Sequence, residues 1–285
     1  MNTAFIKRIR NIPTLPSILT QIIQTLDDPD SSAADLEGIV RNDQSLTTKL
    51  LAVANSAYYG FRHQITTVRR AVVAIGFNEV RNICLGLSLM GFLHPSTFQD
   101  QEAAELLWLH SLGVSRACQL LAEATKVSEV GQAFTAGLLH DIGKVILAAF
   151  MPDQVEEIKR LIEEEGLTYA QAEADLDISH EAVGRALAQH WDLPPVIVEV
   201  LGRHHNPTPT LAYYPVVCMV NVADVIVRRL GIGFSGDPSQ PELDPQVISG
   251  MGSGSKLLQE VSIRLHNSRA EVESYWRQLI ADPNK

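Results

Sequence analysis

The chain has 285 residues, 46% of them hydrophobic and 20% charged, and this globular composition excludes disorder over most of its length. Its 23 basic and 33 acidic residues give a formal net charge of −10, which disfavours a general nucleic-acid binder because the chain repels phosphate backbones. Three widely separated cysteines fit neither a disulfide framework nor a cysteine-based zinc site, so we expect a reducing, cytoplasmic environment. We expect no membrane span, because no uninterrupted apolar stretch reaches about 18 residues.

Apolar residues recur with helical periodicity almost everywhere and predict an all-α protein. In the first block, helices are predicted over residues 17–27, from a cap at Ser31 or Ser32 to Asn42, and over residues 45–57, 67–76 and 78–92. The block closes at a turn over residues 94–96. In the second block, helices are predicted over residues 103–125, 130–150, 155–165, 179–191, 195–205 and 215–230. Residues 231–254, rich in Gly, Pro and Ser, predict a loop with at most one helical turn before a last helix over 269–280.

Several histidine and aspartate side chains, and one lysine, fall on or beside the apolar faces of the predicted helices. They are His110, His140, Asp141, Lys144, His180, His204, His205 and Asp224. His110, for example, shares its expected inward face with Leu106 and Leu109. Each residue alone has an ordinary explanation: a buried histidine can be satisfied within a core, and Asp224 can pair with Arg228 one turn later.

Taken together, these side chains favour a divalent metal site. A buried carboxylate needs a cationic partner, and we expect few basic residues on the inner faces around Asp141 and Asp224. Imidazole and carboxylate ligands suit iron, manganese, nickel or zinc, and the absence of suitable cysteines argues against a structural zinc. The adjacent pairs at residues 140–141 and 204–205 would let neighbouring side chains bind two ions. We predict one or two divalent ions, with iron or manganese favoured and nickel, zinc or magnesium as alternatives.

The sequence Leu-Leu-His-Asp-Ile-Gly-Lys at residues 138–144 resembles the signature of the HD metal-dependent phosphohydrolase superfamily. The order of the histidines and aspartates resembles its HD-GYP branch in particular. Other segments narrow the resemblance to the HDOD family over residues 12–227. These are Ile-Pro-Thr-Leu-Pro at residues 12–16, Asn-Ser-Ala-Tyr-Tyr-Gly at 55–60, residues 71–76 and 180–194, and His-His-Asn-Pro at 204–207.

This resemblance implies an all-α fold with an HD-like multi-helix core and an additional N-terminal helical subdomain. We place the subdomain at residues 1–98, the core at 99–232, and a loop and C-terminal helix, packed on the preceding helices, at 233–285. The resemblance also implies bacterial signal transduction. It assigns Lys144 as the phosphate contact and makes Asp141 and Lys144 the catalytic residues of an active site. The metal ligands that it implies are His110, His140, Asp141, His180, His204, His205 and Asp224.

Two positions depart from the HD-GYP pattern. Asn-Pro-Thr-Pro at residues 206–209 follows the histidine pair where that branch has Gly-Tyr-Pro, so we expect weak or absent hydrolysis of cyclic di-GMP. Leu106 stands one turn before His110, where some HD-GYP sites have a glutamate, so we expect one or two metals and not three.

Three functions remain open from the sequence. The first is a regulatory output module that binds a signalling protein partner through its N-terminal helices. The second is an active metal-dependent phosphohydrolase that acts on a nucleotide or another phosphoester, with two metals activating a water molecule and binding a phosphate oxygen. The third, a DNA-binding helix-turn-helix over residues 68–87, is disfavoured by the net charge.

Overall fold

The computed structural model describes residues 16–27, 30–56, 59–93 and 98–280, and within these ranges it contains helices and no β-strand. The all-α prediction is confirmed. The first helices are α1 (Ser17–Asp27), α2 (Ala33–Arg41), α3 (Gln44–Ala54), α4 (Val68–Ile75) and α5 (Phe77–Phe92). Next come α6 (Gln101–Thr125), α7 (Val130–Leu139), α8 (Ile142–Phe150), α9 (Pro152–Glu165), α10 (Tyr169–Asp175), α11 (His180–His190), α12 (Pro195–Arg203) and α13 (Tyr214–Leu230). The last are α14 (Pro245–Gly250), α15 (Ser255–Asn267) and α16 (Arg269–Ile280).

Local sequence signals set several helix boundaries as predicted. Ser32 caps α2, because its hydroxyl accepts from the amide of Asp35 while the Asp35 carboxylate accepts from the amide of Ser32. Thr67 caps α4, and Gly76, whose φ of 96° suits glycine, ends it. The predicted turn at residues 94–96 and the predicted helix end at residue 57 lie outside the described residues.

The single helix predicted over residues 130–150 is wrong, because the structure divides it at His140 and Asp141 into α7 and α8. Nδ1 of His140 lies 2.8 Å from the carbonyl oxygen of Gly137. In a continuous helix this carbonyl would accept from the amide of Asp141, so the imidazole takes the place of a backbone hydrogen bond at the break. By length and composition alone, residues 130–150 could cross a membrane, but 83% of their most apolar window is buried inside the structure.

Two helices, α10 and α15, were not predicted. A capping box formed by Thr168 and Gln171 opens α10, and three buried side chains, Leu258, Val261 and Leu265, line one face of α15. Both signals are present in the sequence. No helix is predicted for either segment, because the first is short and the second is largely polar.

The main hydrophobic core contains residues from α1 to α16, and α6 lies at its centre, where it packs against α7, α13, α15 and α16. A second, smaller cluster joins α9 to α10 and contains Ile158, Leu161, Tyr169 and Ala172. The N-terminal helices join the rest of the fold mainly through α5, which packs on α7. The inward position expected for Leu106 is wrong: this side chain is 37% exposed at the edge of a cleft beside α6. Leu109 is half-buried. The domain boundaries near residues 98 and 232 stay a prediction.

We expect Leu138→Ala to lower the free energy of unfolding by about 2–5 kcal/mol, because Leu138 is 1% exposed and its truncation leaves a cavity between α5 and α7. Val73→Ala is the matched control, since Val73 is 83% exposed and should change stability by less than about 0.5 kcal/mol. Urea unfolding followed by circular dichroism measures both. Equal midpoints for the two variants would contradict this packing.

Candidate metal centre

The structure brings all seven predicted ligands into one cluster. His110 comes from α6 and Asp224 from α13, while His140 and Asp141 form the break between α7 and α8. The remaining three come from α11 and from the end of α12. All are buried except His205, which is half-buried. The cluster therefore draws on five parts of the chain that lie far apart in the sequence.

Asp141 lies between two groups of side chains. Its carboxylate, His180, His204 and His205 form one group, whose ligand atoms lie within 4.8 Å of one another. The same carboxylate forms a second group with His110 and His140. Asp224 completes the second group, since its Oδ1 lies 3.0 Å from Nε2 of His110. A carboxylate in this position can be shared by two cations.

The outer ring nitrogens of three histidines face oxygen acceptors. A carbonyl or carboxylate oxygen accepts hydrogen bonds, so each Nδ1 carries the proton and each Nε2 turns a lone pair toward the centre of the cluster. The pairs are His140 with the Gly137 carbonyl at 2.8 Å, His204 with the Val200 carbonyl at 3.1 Å, and His180 with the Glu173 carboxylate at 2.8 Å.

These inward nitrogens meet one another and the carboxylate. The Nε2 atoms of His180 and His204 are 3.4 Å apart, and each lies 3.5 Å from Oδ1 of Asp141. Nε2 of His140 and Oδ1 of Asp141 are buried and make no hydrogen bond with any described residue. Facing lone pairs repel, and buried polar atoms without partners are rare in folded proteins. This donor set of imidazole nitrogens and carboxylate oxygens fits a divalent cation.

Two basic side chains lie beside the carboxylates, so the expectation that these faces lack cations is wrong. Nζ of Lys144 donates to Oδ2 of Asp141 at 2.8 Å, and Nη1 of Arg228 lies 3.8 Å from Oδ2 of Asp224. Burial alone would raise the pKa of Asp141, but the adjacent Lys144 ammonium group holds it well below its usual range. The case for a metal therefore rests on the facing nitrogens and not on missing positive charge.

His205 is held in the form that binds metals. Burial lowers the pKa of His205 well below its usual range. Its backbone amide donates to Oε1 of Glu181 at 3.0 Å, which fixes the chain just after α12. A neutral imidazole results, with a lone pair available for a cation.

Sequence reasoning missed Glu173. This residue is 4% exposed on α10, where its carboxylate accepts from the backbone amide of His180 at 2.6 Å and faces the Nδ1 of the same residue. A carboxylate behind a ligand histidine fixes the tautomer and the orientation of the ring. The sequence did contain a signal, because Glu173 shares a helical face with the buried Tyr169 and Ala172.

The segment after α13 covers the cluster on the side of α6. The amide of Phe234 donates to the carbonyl of Leu106 at 3.0 Å. Gly233, with a φ of 65°, approaches α6 so closely that a Cβ atom there would overlap the backbone of His110. The cover therefore depends on a glycine at this position.

Lys144 completes the closure. It donates to the carbonyl of Ser235 at 3.1 Å as well as to Asp141, and its Nζ lies 4.7 Å from the centre of the Tyr169 ring. Lys144, Tyr169 and Ser235 also line the floor of a neighbouring cleft. These three residues separate the buried cluster from that cleft.

Residues 12–207 match the HDOD domain. The chain belongs to the HDOD family. A crystal structure of an HDOD domain protein of unknown function from Geobacter sulfurreducens has a TM-score of 0.76 and 28% identity to this chain, with 96% of this chain and 97% of that one covered. The resemblance to the HDOD family is confirmed.

Two further crystal structures have the same fold as this chain. One, from Marinobacter aquaeolei VT8, is named as a candidate signal transduction protein; it has a TM-score of 0.77 and 22% identity, with 95% of this chain and 60% of that chain covered. The other, from Shewanella amazonensis SB2B, is named as a candidate phosphohydrolase. It has a TM-score of 0.76 and 21% identity, with 97% of this chain and 98% of that chain covered. The chain spans 43% and 20% of the lengths of two curated relatives that it matches.

We expect Glu173→Gln to weaken metal binding by about 10–100-fold. The substitution removes the negative charge that faces Nδ1 of His180 and fixes the orientation of its ring. Asp175→Asn, an exposed position on the same helix, is the matched control and should leave the affinity unchanged. Competition with a chromogenic chelator measures the affinity. If both variants bind metal as tightly as the unmodified protein, Glu173 does not position a ligand.

Proposed function

We propose that this HDOD protein is a bacterial, cytoplasmic signal-transduction module whose HD-type centre holds one or two divalent metals and whose output is mainly regulatory. The observation that carries the proposal is the meeting of the inward nitrogens of His140, His180 and His204 around Asp141. Iron or manganese suits this mixture of imidazole and carboxylate ligands best.

The chain's own residues would hold the ions as follows. Asp141, His180, His204 and His205 would bind the first ion, and His110, His140, Asp141 and Asp224 the second. Bound in this way, a metal would act as a Lewis acid toward a phosphate oxygen or a water molecule. It would also join α6, α8, α11, α12 and α13, so that gain or loss of metal changes how these helices pack. Such a change is a physical basis for a regulatory output.

The closure of the cluster favours regulation over turnover. Lys144, the expected phosphate contact, is 5% exposed and already donates to Asp141 and Ser235. A phosphoester could reach the carboxylate after Lys144 and the segment at residues 232–236 had moved. A signalling partner that binds the N-terminal helices needs no such opening, since α5 connects these helices to α7 and hence to the cluster.

A metal-dependent phosphohydrolase acting on a nucleotide or another phosphoester is the second candidate. It is favoured by the position of Asp141 between two ligand groups, the arrangement that two-metal hydrolysis requires. In that reaction Lys144 would stabilise charge on the phosphoryl oxygens. DNA binding receives no support, because α5, the recognition helix of a helix-turn-helix over residues 68–87, is buried over most of its length.

We expect the purified protein to hold one or two divalent ions per chain and His140→Ala to lose at least one of them. Removal of the imidazole deletes one ligand of the second group. It also removes the contact between Nδ1 of His140 and the Gly137 carbonyl at the helix break. Inductively coupled plasma mass spectrometry measures the number of metal ions per chain. His190→Ala, at an exposed histidine at the end of α11, is the control. Unchanged metal content in His140→Ala would refute the proposed centre.

We expect weak or absent cyclic di-GMP hydrolysis by the metal-loaded protein, since residues 206–209 replace the Gly-Tyr-Pro of the HD-GYP branch and the cluster is closed. Turnover of cyclic di-GMP and of a simple aryl phosphate is measured beside Asp141→Ala. Fast cleavage of cyclic di-GMP that depends on Asp141 would contradict the expectation. Turnover of the aryl phosphate alone would favour the phosphohydrolase, and turnover of neither would favour the regulatory module.

A further inference from the structure

A cleft of about 640 Å³ opens beside the cluster, between α6, α8, α9 and the segment at residues 234–238. Its volume is in the range of small-molecule sites. Most of its wall is apolar and comes from α6, α8 and α9. Four aromatic side chains contribute to the lining: Phe98, Trp108, Tyr169 and Phe234. The cleft can therefore enclose an aromatic or alkyl body.

The rim of the cleft is acidic. Its ionisable residues are Asp100, Glu102, Glu156, Lys159 and Glu163. Lys159 donates to Asp100 at 2.8 Å and to Glu156 at 3.0 Å, so this single ammonium group is shared between two carboxylates. Glu102 and Glu163 are exposed and make no ion pair with any described residue. The rim keeps an excess of negative charge.

The second basic group of the cleft does not offset this charge. Lys144 lies at the floor, where its ammonium group donates to Asp141 and to the Ser235 carbonyl and contacts the Tyr169 ring. An anionic ligand would therefore have to pass an acidic rim, and the Lys144 ammonium group that it would reach is already paired with Asp141. A cationic ligand meets unpaired carboxylates at the rim, which attract its ammonium group, and aromatic rings within, which can pack against its apolar body.

We propose that this cleft binds an organic cation: an apolar aromatic or alkyl body that enters between α6 and α9, with an ammonium group held at Glu102 and Glu163. The cleft requires no metal to bind this cation. Its regulatory meaning rests on the proposed function, because the floor residues Lys144, Tyr169 and Ser235 also close the metal cluster. A ligand that shifts Lys144 would alter the charge beside Asp141, and metal and cation would then affect each other's binding reciprocally.

Three probes with the same body and different head groups test the proposal: phenylbutyltrimethylammonium, phenylbutanol and phenylbutyrate. Isothermal titration of the full chain should show saturable binding of one ammonium probe per chain. The alcohol should bind more weakly, and the carboxylate should bind weakest. Glu102→Gln/Glu163→Gln should weaken binding of the ammonium probe about three- to tenfold and leave the alcohol unchanged, as expected for two exposed charge contacts.

The matched control is Glu105→Gln/Glu165→Gln, which removes two exposed carboxylates of the same helices that lie outside the cleft. Ala148→Phe, which places an aromatic ring inside the cleft, should weaken binding of every probe, and its thermal unfolding shows whether it is folded. Carboxylate binding as tight as ammonium binding, equal effects of the two double variants, or no saturable binding would overturn the proposal. Metal content, measured on the same samples, reports separately on the metal centre.

Discussion

The buried carboxylate of Asp141 is the constraint on which the rest of the site depends. A charge that is 1% exposed is costly unless it is surrounded by complementary groups. Lys144 from the next turn supplies one such group. The imidazoles of His140, His180 and His204 lie 3.4–3.5 Å from the carboxylate and turn lone pairs toward it, so a cation held between them would supply the remainder. α11 begins and α12 ends at this point. The same arrangement of helices must therefore satisfy both the buried charge and the apolar core.

Close backbone approach makes the convergence possible. Gly143 lies where α8 crosses α11, and a Cβ atom there would overlap the carbonyl oxygen of His180. Gly137 lies against the backbone of Ser115 on α6 in the same way. These two contacts bring the helix break to within reach of ligands on two neighbouring helices. The histidine and glycine positions of the signature are therefore parts of one packing arrangement, and the chemistry and the fold share the same residues.

The sequence predicts much of this molecule because helix periodicity and residue type act locally. The polar residues of the cluster stand on apolar stripes of the predicted helices, and the resemblance to the HDOD family implies their role as metal ligands. The features that escaped prediction depend on contacts between distant segments. Glu173 matters because α10 packs near His180, and Lys144 is paired because it bends toward Asp141 and Ser235. The break at His140 arises from a side chain that binds its own helix, a competition that periodicity does not detect.

The most direct test of the metal centre is an anomalous difference map from crystals of protein produced with manganese or iron supplied, recorded at the absorption edge of each metal. The account predicts a peak between Nε2 of His180, Nε2 of His204 and the Asp141 carboxylate, at about 2.0–2.3 Å from each. A second ion, where present, should lie between Asp141 and the pair His110 and His140. The account would be contradicted if crystals of protein produced with these metals showed no anomalous peak at the cluster while the Nε2 atoms of His180 and His204 kept their present spacing.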